Sequence, residues 1–197
     1  MGSSISQVLL LIINMLGGLY IFTVIMRFLL QATRADFYNP VSQSIVKFSS
    51  PLLNPLRKVI PSYKGFDFAA LVLALLLNTL ATISMILIAG FALPGIGSIV
   101  AWSFIGLLDF ILNIYFYGLL ISIIASWIAP YSGNPVLLLI HQLLGPIMKK
   151  VHKVIPPMGG LDFSPIFVFL GIQAVEILLV QSLAQSLRLP PDFVIGI

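Results

Sequence analysis

The chain has 197 residues, 59% hydrophobic and 8% charged, with a formal net charge of +4. A soluble domain carries about 25% charged residues, so too few polar groups are present to coat a water-soluble body, and the mean hydropathy of +1.12 points to lipid as the solvent. There is no cysteine, which excludes disulfides, thiol catalysis, palmitoylation and cysteine-based metal sites.

From Gly2 to Met26 no charged side chain occurs, and about 20 helical residues are enough to cross a hydrocarbon core roughly 30 Å thick. The segment lacks the basic n-region, short h-region and small-residue cleavage site of a signal peptide. It is read as a retained first span, about residues 5–30. Met1-Gly2-Ser3-Ser4-Ile5-Ser6 fits the loose myristoylation pattern, but an acyl chain beside a span adds little anchoring.

The next segment is punctuated by prolines. Asn39 is a good N-cap and Pro40 suits the first helical position, where its missing N–H costs nothing. Pro51 is expected to break or restart the helix. Beyond it Leu52, Leu56, Val59 and Ile60 recur at helical spacing among Arg57 and Lys58, which predicts an amphipathic segment lying in the interface with its cations snorkelling to headgroups. Pro61 stops it, Gly65 reverses the chain, and Asp67 is placed to cap a second span over about residues 68–93.

Pro94-Gly95-Ile96-Gly97 reads as a turn between spans; it lacks the third glycine and the preceding strand of a nucleotide loop. A third span follows over about residues 100–128 with Asp109 as its one charge. Asn134 and Pro135 then open a second loop helix, Pro146 interrupts it, and Ile147, Val151, Val154 and Ile155 line one face among Lys149, Lys150 and Lys153. Pro156 stops it, Gly159-Gly160 turns the chain, and Asp162 caps a fourth span over about residues 163–187, whose one charge is Glu176. Lipid cannot satisfy free backbone groups, so all four runs should be helices.

The two loops are copies of one another. At an offset of 95 residues, Asn39-Pro40-Val41 falls on Asn134-Pro135-Val136, Pro51 on Pro146, Lys58-Val59-Ile60-Pro61 on Lys153-Val154-Ile155-Pro156, and Asp67-Phe68 on Asp162-Phe163. Between Asn39 and Phe68, 12 of 30 positions are identical without a gap, where unrelated segments share about two. The fold class is therefore an all-α membrane protein of four spans, built as two tandem helix-loop-helix repeats, residues 1–94 and 95–197, with short interfacial helices in each loop.

Asn-Pro, a proline-led basic amphipathic segment, Ile-Pro, a glycine turn and Gly-x-Asp-Phe entering an apolar helix resemble the YggT family of bacterial membrane proteins. The second copy is the fuller match, with Ser126-Trp127 before it and Ser164-Pro165 after Asp162-Phe163; the first has Gln31-Ala32 and Ala69-Ala70 at those places. The resemblance implies a bacterial inner-membrane or plastid-membrane protein, linked in different lineages to osmotic tolerance, cell-division gene neighbourhoods, nucleoid distribution and cytochrome maturation. It implies no shared catalytic residue.

The residues themselves point away from catalysis and cofactors. His141 and His152 lie in the second loop with no carboxylate next to them in sequence and no histidine counterpart in the first repeat, which has Val46 and Arg57 there; a metal site needs several convergent ligands. The basic residues flank spans without interleaved base-stacking aromatics, so anionic lipid, not nucleic acid, is the expected partner. A membrane-protein partner or a second copy of the chain is left open. Polar groups inside the spans mark the other place to look for activity: Asn14, Asn78, Asp109, Asn113, Gln173 and Glu176. They serve either as hydrogen-bonding glue between helices or as an ion or proton path, with Asp109 and Glu176 expected at similar depth, facing each other or sharing a network, with a shared proton or an amide from Asn113 or Gln173 between them. Nine of the ten Lys and Arg residues lie in or beside the two loops, which predicts cytoplasmic loops and outer termini; that the membrane is a bacterial inner membrane is what the resemblance implies. Two functions follow: a non-enzymatic scaffold or adaptor supporting envelope homeostasis or osmotic tolerance, or a small ion or proton transporter.

Overall fold

In the computed structural model, residues 4–129, 132–156 and 162–197 are described. They form α1 (Ser4–Ala32), α2 (Pro40–Arg57), α3 (Phe68–Ile88), α4 (Ile96–Ile128), α5 (Pro135–Val154), α6 (Ser164–Val175) and α7 (Ser182–Ser186). One π-helical turn, Glu176–Gln181, joins α6 to α7, so the fourth apolar helix runs through Ser164–Ser186. Four helices, α1, α3, α4 and this composite, are long and apolar enough to cross a membrane. Among the described residues there is no strand; Tyr63 and Phe66 form one isolated bridge around Lys64 and Gly65, which both adopt positive φ as a tight reversal requires.

The packing follows the rule for lipid, where close approach and polar ties replace the hydrophobic effect. Ala69, Ala70, Ala74 and Ala81 give α3 a stripe of small residues, against which Ile21, Val24, Ile25 and Leu29 of α1 are buried. Neighbouring contacts run α1 to α3, α3 to α4, and α4 to the fourth helix, with α2 and α5 laid against this row and touching each other.

Two sequence expectations are corrected. The loop helices are not broken at proline: α2 continues through Pro51 and Pro55, and α5 through Pro146. The carbonyls that lose their intrahelical donor belong to Lys47, Pro51 and Gln142, all exposed residues, so none of the lost bonds falls at a buried position. The second span ends at Ile88, where Gly90 takes a positive φ, and the third begins at Ile96 rather than near Val100.

The C-terminal segment, unread in the sequence, folds back into the bundle. After Pro191–Phe193, a single 3-10 turn, Val194 and Ile195 become almost fully buried. Asn78 of α3 donates to the carbonyls of Ser103 (3.2 Å) and Ile195 (3.0 Å), while Gly17 and Gly18 of α1 and Gly106 of α4 leave room for the segment. An added Cβ at Gly106 would lie 2.7 Å from the Ile195 carbonyl oxygen, so this glycine is what admits the tail.

Candidate functional site: anchored loop helices and intramembrane carboxylates

Both loop helices start the same way. Asn39 accepts from the Val41 amide at 2.9 Å and Asn134 from the Val136 amide at 2.8 Å, with Pro40 and Pro135 as first helical residues. Each then ends before its Ile-Pro, at Arg57 and Val154, ahead of Pro61 and Pro156. The second glycine turn, including Gly160, lies outside the described residues.

Each loop helix is tied to the following span by a pair the sequence reading assigned differently. Asp67 stands at the N-cap of α3 but makes no side-chain cap. Its fully buried carboxylate instead accepts from Arg57, from Nε at 3.1 Å and in a salt bridge from Nη2. Arg57 is thereby turned inward rather than free to face headgroups. At the same register in the second repeat, His152 Nε2 lies 3.0 Å from Asp162, so His152 does have a carboxylate beside it, brought by the fold from ten residues away. Asp162 also accepts from the Ser164 amide at 2.9 Å. Partial burial raises its pKa, but the bonds from His152 and Ser164 outweigh that and hold the carboxyl below the ordinary 3.8.

The spans grip the loop helices too. Buried Arg27 of α1 donates to the Val46 carbonyl (2.9 Å) and to Ser49 and Ser50 hydroxyls (3.0 Å each). The equivalent positions in the second repeat, Ser122 and His141, meet at 3.4 Å. The two loops are joined across the repeats: Asn39 Nδ2 donates to the Pro135 carbonyl at 2.8 Å and the Asp36 amide to Gln142 Oε1 at 2.9 Å. Lys47, Lys58, Lys149, Lys150 and Lys153 remain exposed. Between these lysines lie large apolar side chains that the bundle does not cover, Phe48 at 67%, Leu52 at 49% and Val59 at 78% exposure.

The intramembrane polar groups fall into separate sets. Asp109 of α4 is buried and accepts from Asn113 at 3.0 Å, on its own helix. Glu176 opens the π-turn, which packs on α4. Its hydrogen bond comes from Gln181 at 3.3 Å rather than from Gln173; the five-residue spacing matches the π-turn, which brings i and i+5 onto one face. Asn78 serves the C-terminal segment, and Asn14, exposed, lines a crevice with Asp192. Among the described residues no group of three His, Asp or Glu is arranged to hold a metal.

The model of the CCB3/YggT family matches twice, at residues 6–88 and 101–183. The chain belongs to the CCB3/YggT family. It is 42% identical over 180 residues to an uncharacterised protein of Pseudomonas aeruginosa, covering 91% of both chains. It is 34% identical over 161 residues to the uncharacterised protein YggT of Escherichia coli K12, covering 80% of this chain and 81% of that one. No solved structure matches. Each CCB3/YggT match takes in one loop helix and its tie, Arg57 with Asp67 in the first and His152 with Asp162 in the second.

Proposed function

We propose that the protein is a non-enzymatic scaffold of the bacterial inner membrane whose joined loop helices lie in the cytoplasmic interface and contact anionic lipid or a partner protein, in support of envelope homeostasis or osmotic tolerance. The observation that carries this reading is the outward face of α2 and of the turn that follows it, where exposed Phe48, Leu52 and Val59 alternate with Lys47 and Lys58. Such a face is stable with its apolar side chains in acyl chains and its cations among headgroups. Each exposed lysine near an anionic surface contributes about 1 kcal/mol. Replacing Lys58, Lys149, Lys150 and Lys153 by glutamine is expected to weaken association with anionic bilayers and to lower growth under osmotic challenge. Unchanged behaviour in both assays at low salt refutes the reading. For sidedness, a C-terminal reporter active only in the cytoplasm contradicts it.

A second reading, proton or cation handling, is favoured by the π-turn that opens with Glu176 and packs on α4, the helix carrying buried Asp109, since π-turns are often found at functional sites. The double change Asp109→Asn with Glu176→Gln separates the two. A scaffold keeps its phenotype and a transporter loses it.

A further inference from the structure

Between the two repeats lies a half-open cavity of about 610 Å³. Its walls are contributed in equivalent pairs: Phe22 and Met26 of α1 face it, as do Tyr117 and Ile121 of α4, the residues at the same register of the other repeat. At the loop end Val41 and Ile45 of α2 are matched by Val136 and Ile140 of α5. The cavity therefore straddles the pseudo-symmetry axis, the place where repeat-built membrane proteins bind their ligands.

Its length is informative. Along α4 the lining runs from Phe110 to Ile121, about 16 Å at 1.5 Å per residue, close to half of the roughly 30 Å core. The deep end is closed by Gly196, a residue of the returning C-terminal segment. That segment, with Ile195 against Gly17 and Gly18 of α1 and Val194 against Gly106 of α4, fills the other half of the space between α1 and α4. No segment of the described chain fills the half nearer the loops. A transmembrane helix does not fit, because the volume equals only about one turn of a helix 10–12 Å across, and Gly196 stands at the end away from the loops.

We propose that this cavity is a binding site for one acyl chain of a phospholipid from the leaflet on the loop side, its headgroup at the level of α2 and α5 and its chain end at Gly196. The site completes the bundle as the C-terminal segment completes it from the opposite side. It involves none of the lysines of the scaffold reading, so either can fail alone.

The test is photolabelling in vesicles of phosphatidylethanolamine and phosphatidylglycerol containing a phospholipid with a diazirine near its acyl terminus. Labelling is expected on the Phe110–Ile121 stretch and at Ile140, above that on Leu170 and Leu178, which face outward. Gly118 lines the cavity, and a Cβ there meets only Ile140 at an ordinary 3.9 Å. Gly118→Ala should therefore keep the label, and Gly118→Phe should reduce it about tenfold in the cavity while leaving Leu170 and Leu178 unchanged. If Gly118→Phe does not fold, Met26→Trp fills the space from the α1 wall and carries the same expectation. Native mass spectrometry should find one retained phospholipid, lost on filling. Cavity labelling no stronger than that of the outward face, labelling insensitive to filling, or a co-purified polypeptide protected against the same residues overturns the proposal.

Discussion

The two ties that hold the loop helices differ in burial, and that difference predicts how much each is worth. Asp67 has no exposed side-chain surface and its partner Arg57 is 27% exposed, whereas His152 and Asp162 are 35% and 39% exposed. Asp67→Asn removes the one carboxylate facing Arg57, with the charge of Arg27 close to both. Breaking a buried pair by deleting one partner costs about 3–5 kcal/mol; Arg57 retains some access to water, which places the cost near the lower end, about 3 kcal/mol. Asp162→Asn breaks an exposed pair, worth about 0–1 kcal/mol. For a chain of this size about 2–4 °C of midpoint corresponds to 1 kcal/mol, so the expected losses are about 6–12 °C and at most about 4 °C. The assay is thermal unfolding of the detergent-solubilised protein, with Arg57→Gln/Asp67→Asn as the double variant. The double change should recover part of the loss, since no unpaired Arg57 charge remains. Equal losses for Asp67→Asn and Asp162→Asn refute the reasoning.

Three further outcomes follow from the same geometry. Because the folded state holds the Asp162 carboxyl below its ordinary value, its stabilisation is complete above that value, near 3.9, and is lost as pH falls through the lowered folded value. Hydrogen-exchange protection across residues 162–166, taken relative to the intrinsic rate at each pH, should therefore fall only in acid. Gly106→Ala should expel the C-terminal segment, since the new Cβ lies 2.7 Å from the Ile195 carbonyl oxygen; carboxypeptidase digestion should become fast in the variant and stay slow in the parent. Asn78→Leu removes both donations to the Ser103 and Ile195 carbonyls and should loosen the same segment, by about 0.6–1.7 kcal/mol if intramembrane hydrogen bonds here match those measured elsewhere.

The apolar runs and the 95-residue repeat make the four long helices and the paired loop helices readable, because helix formation in lipid follows from composition alone. The effect of a proline depends on where the bond it removes falls, and the sequence does not show that Lys47, Pro51 and Gln142 sit on the exposed side. Spacing alone does not show that Arg57 and Asp67 meet, so the sequence points Arg57 to headgroups and Asp67 to a cap. The register did hold the clue: Arg57 falls on His152 and Asp67 on Asp162, so two cationic or titratable partners recur ten residues before two aspartates. The returning tail was legible only as Val194-Ile195-Gly196-Ile197 after a double proline, too short to be read as a span. Asn78, which donates to it, looks like ordinary intramembrane glue until the tail is placed on it.

The proposed placement of α2 in the membrane interface is tested most directly by spin-label accessibility, for which the absence of native cysteine is an advantage. Single cysteines at Gln43, Phe48, Leu52, Asn54 and Val59, labelled in vesicles containing phosphatidylglycerol, report whether oxygen or a water-soluble nickel complex reaches each site. The account predicts high oxygen and low nickel accessibility at 48, 52 and 59, with the order reversed at 43 and 54. Nickel accessibility at 48 and 52 as high as at 43 contradicts it.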